Sequence, residues 1–350
     1  MAAETPTLAP KALTRKDFQS DQEVRWCPGC GDYAILTAVQ SVLPELGIPK
    51  EKFVIVSGIG CSSRFPYYMD TYGFHSIHGR APAIATGLKM SRPDLQVWVV
   101  TGDGDALSIG GNHLIHILRR NVGVKILLFN NRIYGLTKGQ YSPTSEVGTR
   151  TKSSPDGSVD QPFSPLSLAL GAGATFVARS VDIFQSHLKE ILRRTAAHEG
   201  TALVEILQNC PIFNDKTFGD VTSKEGRIDN AIYLEHGKPI TFGKDNSKGI
   251  RVRGMDLEVI DLEGSVGPED CLVWDENRDN PALAFLMSQI GPPDLPTPLG
   301  VFRCVESETY ESAIANQIRS AEEKLGRGTL EDLLNAGETW TVGDGTDATS

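Results

Sequence analysis

Long apolar runs are missing from this sequence. No stretch approaches the roughly 18 consecutive apolar residues that a membrane-spanning helix requires, and residues 1–21 are polar, without the apolar core of a secretion signal. An excess of positive charge is missing too, because 34 Lys and Arg residues stand against 44 Asp and Glu residues, for a net charge of −10. Such a chain is poorly suited to bind nucleic acid or an anionic membrane surface. We therefore expect a cytoplasmic protein with no nucleic-acid partner and no membrane contact.

Internal repeats are absent as well. With 350 residues, of which 40% are hydrophobic, the chain can bury one large core or two modest ones. We expect a flexible N-terminal arm over residues 1–21, a folded domain over 22–245 and a C-terminal extension over 246–350 that docks on another subunit. Within the extension, apolar spacing predicts two helices and then a disordered tail, at residues 310–325, 330–334 and 341–350.

A strand–helix–strand unit is the clearest structural pattern in the sequence. β-branched residues at 97–101 predict a buried strand, which stops abruptly at GDGD, residues 102–105. An amphipathic segment predicts a helix directly after these glycines, and a second apolar strand at 124–129 then runs into NN at 130–131. Strands that are joined through a helix run parallel to each other. The sequence therefore predicts an α/β fold in which helices flank a mostly parallel central sheet.

Asp103 and Asn131 each follow one of these strands. Because open parallel sheets bind ligands at the carboxyl ends of their strands, we expect the two side chains in one site. Their oxygens suit Mg²⁺, and the N–H groups of a glycine turn at a helix N-terminus can approach a diphosphate. GDG followed by NN after the next strand resembles the diphosphate-binding motif of thiamine-diphosphate enzymes. The alternative interpretation is a tight turn plus an Asn-rich turn with no ligand.

Six cysteines are present, and four of them lie next to a predicted helix or strand. Cys27 and Cys30 form a CxxC ahead of a predicted helix, which is typical of a thioredoxin-like dithiol, half of a zinc site, or two ligands of an iron–sulfur cluster. No second CxxC completes a zinc ribbon. Cys61 and Cys210 each follow a predicted strand, at the same edge of the sheet as the glycine turn, where four thiolates would fit zinc or iron–sulfur. The remaining two are expected to be free thiols: Cys271 and Cys304.

The combined motifs resemble the β subunit of the 2-oxoacid:ferredoxin oxidoreductases. The resemblance covers roughly residues 20–245, and it is carried by WCPGCGD at 26–32, GIGCSSR at 58–64, HGRAPAIATG at 78–87, GDGDALSIGGNH at 102–113, NNRIYGLTKGQ at 130–140 and EILQNCP at 205–211. Within that family, the length of the chain and the LTKGQ segment most resemble the 2-oxoglutarate enzymes.

This resemblance implies a set of cofactors and ligands. A [4Fe–4S] cluster would be held by Cys27, Cys30, Cys61 and Cys210. Mg²⁺ would be bound by Asp103, Asn131 and the carbonyl group of Ile133. Thiamine diphosphate would be lined by Ile59, Gly60, Cys61, Ser62, His78, Gly104, Asp105, Gly135 and Leu136. Catalytic contacts are implied for His78 and for Lys138, which would face the substrate carboxylate; without the resemblance, these are a structural histidine and a solvated loop lysine.

The resemblance also implies an activity and its partners. The chain would be one half of an enzyme that decarboxylates 2-oxoglutarate oxidatively to succinyl-CoA and CO₂, with coenzyme A as acyl acceptor and a ferredoxin as electron acceptor. The glutamate that activates the cofactor would come from an α subunit, in an (αβ)₂ heterotetramer. The loop at 141–165, which is dense in Ser, Thr, Gly and Pro, would border the active site. The alternatives are pyruvate or branched-chain 2-oxoacids as substrate, a cluster-free thiamine-diphosphate decarboxylase or synthase, and a purely electron-carrying or zinc-binding module.

Overall fold

The structure, a computed structural model, describes residues 13–340 and Val342. The strands are β1 Phe53–Ser57, β2 Tyr72–His75, β3 Gln96–Gly102, β4 Val124–Asn130, β5 Phe176–Val181, β6 Ala202–Leu207, β7 Ala231–Leu234, β8 Thr241–Phe242, β9 Lys248–Arg253, β10 Asp256–Asp261 and β11 Thr297–Cys304. The α-helices are α1 Asp32–Val42, α2 Ala81–Ser91, α3 Asp103–Leu107, α4 Gly111–Arg119, α5 Pro165–Gly171, α6 Gln185–Ala197, α7 Gly219–Thr222, α8 Gly226–Asn230, α9 Ala282–Gln289, α10 Tyr310–Leu325 and α11 Leu330–Leu334.

The central sheet has the strand order β2-β1-β3-β4-β6-β5-β11-β7. Neighbouring strands are parallel except for β5 and β11, so the predicted mostly parallel sheet is confirmed. The apolar runs at 97–101 and 124–129 form the cores of β3 and β4 and are buried, as is usual for parallel strands covered by helices on both faces. Because β3 and β4 are adjacent, their carboxyl ends bring Asp103 and Asn131 to the same edge.

Helices cover both faces of this sheet. On one face, α1 and α6 contribute Ile35 and Leu188 to a buried core. On the other face, α4 and α5 contribute Leu114 and Leu166 to a second core. A smaller antiparallel sheet, with the order β10-β9-β8, adds Ile250 to the second core.

The helix predicted after the glycine turn is present as two helices. α3 ends at Leu107, and the backbone of Ser108 is not helical, with φ −87° and ψ −109°. Between the two helices, Gly110 meets Gly79 of the β2–α2 loop so closely that a Cβ atom on Gly79 would lie 2.5 Å from the Gly110 backbone nitrogen. The break therefore lets the loop that carries His78 approach the glycine turn.

The domain boundary predicted at residue 245 does not occur in the structure. The first compact unit continues to Tyr310, because β11 inserts between β5 and β7 and buries Val301 completely. Pro298 and Gly300 interrupt the apolar pattern of this strand, and both residue types are unfavourable in the interior of a strand. Local patterning therefore gave no sign that the last hundred residues complete the central sheet.

Residues 13–21 pack on the domain instead of forming a free arm. A 3₁₀ helix at Arg15–Phe18 places the Phe18 side chain in the core, where its ring meets that of Phe53 edge-on at a centroid distance of 5.6 Å. Gln19 then pairs with Met69 through a β-bridge. The predicted flexible arm is thus corrected for this part, because one aromatic side chain anchors it, while residues 1–12 lie outside the described ranges.

A second unit begins at Glu311. The helices predicted at 310–325 and 330–334 are present as α10 and α11. Thr329 caps α11, since its hydroxyl accepts a hydrogen bond from the Asp332 backbone nitrogen at 3.1 Å. The disorder predicted from residue 341 concerns positions that, apart from Val342, are not described. Among the helices within residues 13–340, none has the length and hydrophobicity to span a membrane.

Candidate active site

A cavity of about 80 Å³ lies at the carboxyl ends of β1, β3 and β4. We call it the Asp103 cavity. It is lined by every residue that the family resemblance implied around Mg²⁺ and thiamine diphosphate, namely Ile59, Gly60, Cys61, Ser62, His78, Asp103, Gly104, Asp105, Asn131, Ile133, Gly135 and Leu136. The structure therefore brings these separate motifs together at one edge of the sheet, where open parallel sheets bind their ligands.

Asp103 is held by two hydroxyl groups from the long loop that follows β4. The side chain is almost completely buried, and its Oδ2 accepts hydrogen bonds from Ser142 Oγ at 2.5 Å and Thr144 Oγ1 at 2.6 Å. Burial raises the pKa of Asp103, and the two hydroxyl groups oppose this rise. A divalent cation would stabilise such a buried carboxylate as an anion. The loop at 141–165 borders the site, as the resemblance implied, and these two hydroxyls were not foreseen from the sequence.

The tight turn after β4 provides two further oxygen atoms that could bind a metal ion. Asn131 Oδ1 accepts a hydrogen bond from the Ile133 nitrogen at 3.1 Å, and the residue between them, Arg132, adopts a left-handed φ of 55°. From outside the turn, Asn214 Nδ2 donates a hydrogen bond to the Asn131 carbonyl at 3.0 Å. Asp103 thus offers a carboxylate oxygen, and the turn offers the side-chain amide oxygen of Asn131 and the carbonyl oxygen of Ile133. Since these are the donors that Mg²⁺ prefers, the residues present fit this ion.

Gly104 makes room for a neighbour that the sequence analysis missed. A Cβ atom on Gly104 would lie 2.1 Å from Tyr134 Cε1, and the Tyr134 hydroxyl donates a hydrogen bond to the Gly104 carbonyl at 3.1 Å. From the sequence, we expected this glycine to allow a diphosphate to approach the backbone. The structure adds a second reason, because only glycine leaves space for the Tyr134 ring that lines the cavity.

Asp105 joins three loops around the cavity. Its carboxylate accepts hydrogen bonds from the backbone nitrogens of Ile59 and Gly79, at 3.1 and 2.7 Å, and from Thr101 Oγ1 at 2.6 Å. His78 Nδ1 lies 3.1 Å from Asp105 Oδ1. The two atoms form no hydrogen bond, and this buried nitrogen has no hydrogen-bond partner among the described residues. Asp105 therefore supports the walls, while His78 brings an unsatisfied ring nitrogen to the site.

A second cavity, of about 220 Å³, adjoins the first. We call it the cysteine cavity, because it is lined by all four predicted cluster ligands: Cys27, Cys30, Cys61 and Cys210. The residues that line both cavities are Asp32, Cys61, Asn131, Gly135 and Leu136. Gly135 keeps this shared wall thin, since a Cβ atom there would lie 3.4 Å from Cys61 Sγ and 3.8 Å from Cys210 Sγ. The predicted free thiols, Cys271 and Cys304, line neither cavity.

The surroundings of Cys30, Cys61 and Cys210 favour neutral thiols as long as no metal is bound. Burial raises the pKa of Cys61 to about 12 and also raises the pKa of Cys30, and the nearby Asp32 carboxylate adds to both rises. A thioredoxin-like dithiol uses lowered thiol pKa values, so the raised pKa of Cys30 does not favour that interpretation. Metal binding supplies the missing positive charge and lowers the pKa of the thiols that it engages.

The placement of the cysteines bears on which metal group they could hold. Among the described residues, no group of three or more His, Cys, Asp and Glu side chains is arranged to hold a single metal ion. A structural zinc site needs its sulfur ligands about 2.3 Å from one point. Four cysteines that line the walls of one cavity suit a group that fills the space between them, as an iron–sulfur cluster does. The donor set therefore fits a cluster.

Two buried polar side chains of the cysteine cavity were not singled out from the sequence. Asp32 begins α1, burial raises its pKa to about 7, and its Oδ2 has no hydrogen-bond partner among the described residues. Gln208, directly after β6, donates a hydrogen bond from Nε2 to Cys30 Sγ at 3.3 Å. Both lie in the motifs that carry the cysteines. Their position as polar residues close to a predicted cluster ligand was the one sequence feature that could have identified them.

Lys138 lies at the cysteine cavity and does not line the Asp103 cavity. Its side chain is exposed, and its backbone has a left-handed φ of 76°. The preceding residue, Thr137, lines the Asp103 cavity, which places Lys138 beside the shared wall. Arg25 and Arg64 also line the cysteine cavity, so this side of the site carries three cationic side chains.

The chain is similar to known proteins over most of its length. Residues 58–206 match the family model described as thiamine pyrophosphate enzyme, C-terminal TPP binding domain. The chain is 59% identical over 330 residues to the 2-oxoglutarate oxidoreductase subunit KorB of Mycobacterium tuberculosis, covering 93% of this chain and 88% of that one. It is 38% identical over 238 residues to the 2-oxoglutarate synthase subunit KorB of Archaeoglobus fulgidus, covering 68% of this chain and 84% of that one.

A solved structure extends this similarity to the fold. It is a 2-oxoglutarate:ferredoxin oxidoreductase from Magnetococcus marinus, with 2-oxoglutarate, coenzyme A and succinyl-CoA bound. The TM-score is 0.74 and the sequence identity is 32%, with 94% of this chain and 97% of that chain covered.

Proposed function

The chain belongs to the β subunits of the 2-oxoacid:ferredoxin oxidoreductases, and we propose that, with an α subunit, it converts 2-oxoglutarate, coenzyme A and oxidised ferredoxin to succinyl-CoA, CO₂ and reduced ferredoxin. The cofactors in this proposal are thiamine diphosphate, Mg²⁺ and one [4Fe–4S] cluster. We also propose an (αβ)₂ assembly that works in the cytoplasm, where thiols stay reduced.

The observation that carries this proposal is the wall shared by the two cavities. Oxygen donors that suit Mg²⁺ lie on one side, four cysteines lie on the other, and Cys61, Asn131 and Gly135 belong to both. Such closeness would suit the passage of electrons from a group held in the Asp103 cavity to a group held in the cysteine cavity. A cluster-free thiamine-diphosphate enzyme would leave the cysteines without a role, and a zinc or electron-carrying module would leave Asp103 and Asn131 without one.

When bound, thiamine diphosphate supplies the electron sink for decarboxylation, Mg²⁺ neutralises its diphosphate, and the cluster accepts electrons. The chain itself positions these groups. Asp103, Asn131 and the Ile133 carbonyl would hold Mg²⁺, and Ser142 and Thr144 keep the Asp103 carboxylate in one orientation. The residues proposed to line the organic cofactor are Ile59, Gly60, Cys61, Ser62, His78, Gly104, Asp105, Gly135 and Leu136.

The choice of 2-oxoglutarate rests on the relatives. Both KorB proteins carry this substrate in their names, and the M. marinus enzyme was solved with it bound. Pyruvate and branched-chain 2-oxoacids are the alternatives. The direct test is to assay the α–β complex against a panel of 2-oxoacids, following ferredoxin reduction. Preference for 2-oxoglutarate supports the proposal, and a colourless, zinc-containing complex that reduces no ferredoxin refutes it.

We expect the isolated chain to show no turnover until an α subunit is added. The family resemblance places the activating glutamate in that subunit, and no glutamate lines the described walls of the Asp103 cavity. The measurement is 2-oxoglutarate-dependent ferredoxin reduction by the chain alone and after titration with α. Robust turnover by the chain alone would contradict this division of the active site.

Lys138→Ala is expected to lower kcat/KM for 2-oxoglutarate by about 10- to 150-fold, the usual effect of losing one charge-assisted hydrogen bond. Its position beside the shared wall suits contact with a substrate carboxylate. If it binds the distal carboxylate, pyruvate turnover should fall much less; an equal fall for both substrates would assign it to the carboxylate that they share. Lys152→Ala, which alters an exposed lysine further along the loop, is the matched control. Unchanged kinetics for both substrates in Lys138→Ala would make it a solvated loop lysine.

A further inference from the structure

Gln208 connects the end of β6 to the first cysteine motif. Its side chain is 1% exposed and lines the cysteine cavity. Its Nε2 lies 3.3 Å from Cys30 Sγ and 2.5 Å from the Asn209 carbonyl, and that carbonyl also accepts a hydrogen bond from the Gly31 nitrogen at 3.1 Å. An oxygen in place of Nε2 would face the Asn209 carbonyl without a proton between them. The contacts therefore require the N–H end of the amide to face the sulfur.

The surrounding backbone holds this amide in place. The Gln208 nitrogen donates a hydrogen bond to the Asn130 carbonyl at 2.8 Å, which continues the register between β6 and β4. A Cβ atom on Gly31 would lie 3.0 Å from Gln208 Cγ, so the chain next to Cys30 packs directly on the Gln208 stem. At the far end of the amide, Oε1 is buried without a hydrogen-bond partner among the described residues. Among the described residues, the N–H end is therefore the end of this amide that makes hydrogen bonds.

We propose that Gln208 is a positioning residue that sets the reduction potential of the cluster, by donating its side-chain N–H to the sulfur of Cys30. This inference rests on the proposed function, because it needs the [4Fe–4S] cluster in the cysteine cavity. When the cluster gains one electron, the negative charge on its sulfur ligands increases. An N–H group aimed at one of these sulfurs stabilises the reduced form more than the oxidised form and so raises the potential.

The test is Gln208→Met in the α–β complex, a change that keeps the length of the side chain and removes the N–H donor. The reduction potential is measured by dithionite titration monitored by electron paramagnetic resonance. We expect a more negative potential, with the equilibrium constant for one-electron reduction lowered by about two- to tenfold, where tenfold corresponds to about 59 mV. In resonance Raman spectra of the wild type, exchange into D₂O should shift an Fe–S(Cys) stretching band, and this shift should be lost in the variant.

Gln185→Met is the matched control. Gln185 begins α6, and its amide donates to the carbonyls of Ala34 in α1 and of Asp182, at 3.1 and 2.8 Å, and to no sulfur. This variant should keep both the wild-type potential and the deuterium shift. Equal potentials in the Gln208→Met variant and the wild type, with clusters present in both, overturn the inference and leave the proposed function intact.

Iron content is measured before each titration, so that two kinds of failure stay distinct. Absence of a cluster from the wild-type complex would refute the proposed function itself. If Gln208→Met folds but lacks iron, Gln208→Leu is examined next. This change also removes the N–H donor, but its shorter, branched side chain packs differently in the cavity wall. Loss of iron from both folded variants would show that Gln208 retains the cluster and would overturn its role in setting the potential.

Discussion

Replacing Cys27, Cys30, Cys61 or Cys210 by alanine is expected to abolish the iron–sulfur cluster of the α–β complex completely. Each of the four lines the cysteine cavity, and no fifth cysteine does. Because a [4Fe–4S] cluster is held by four thiolates, no spare sulfur in the described part of the cavity can replace a lost ligand. Iron and sulfide content, together with the visible absorption of anaerobically purified protein, are the measurements.

The two remaining cysteines provide matched controls. Cys271 packs against the backbone of β9, where a Cβ atom on Gly249 would lie 2.2 Å from its sulfur, and Cys304 ends β11. Since neither lines the cysteine cavity, Cys271→Ala and Cys304→Ala should keep full iron content. Far-ultraviolet circular dichroism checks that every variant is folded. Full iron in any one of the four cavity variants would remove that cysteine from the ligand set.

The different nature of the four cysteine sites explains how much of this arrangement the sequence could reveal. Cys61 and Cys210 each follow a run of apolar residues that forms a buried parallel strand, so their common edge followed from the strand pattern alone. The hydrogen bond from Gln208 to Cys30 depends instead on two segments that are 178 residues apart in the chain. No local periodicity encodes such a contact, and only the folded sheet brings the two segments together.

The same distinction holds for the fold. The strand–turn–helix–strand unit around Asp103 was predictable because its strands are continuous apolar runs and its turn is marked by glycines. Phe18 and β11 were missed for opposite reasons. Phe18 is a single anchoring side chain in an otherwise polar segment, and β11 carries a proline and a glycine within a buried strand. In both cases tertiary packing outweighs a local sequence that is unfavourable.

Asp103→Ala is expected to weaken Mg²⁺-dependent binding of thiamine diphosphate by more than about 100-fold. Loss of a residue that supports a metal ligand typically costs 10- to 100-fold in affinity, and Asp103 is itself the proposed charged ligand. Calorimetric titration of the α–β complex with thiamine diphosphate at saturating Mg²⁺ is the measurement. The fold should survive, because Thr144 Oγ1 lies 2.9 Å from Asn130 Oδ1 and keeps that acceptor when the carboxylate is removed.

The two hydroxyl groups that donate hydrogen bonds to Asp103 allow a series of variants with different expected losses of affinity. Thr144→Val and Ser142→Ala each remove one donor to Oδ2 while leaving the carboxylate, and each should weaken binding by about 10- to 100-fold. Asp156→Ala, which removes an exposed carboxylate from the same loop, should leave the affinity unchanged. If Asp103→Ala binds thiamine diphosphate as tightly as Asp156→Ala does, Asp103 is rejected as the metal ligand. A series in which Asp103→Ala binds weakly while both hydroxyl variants bind as tightly as the wild type would keep Asp103 as the ligand and show that the loop does not orient it.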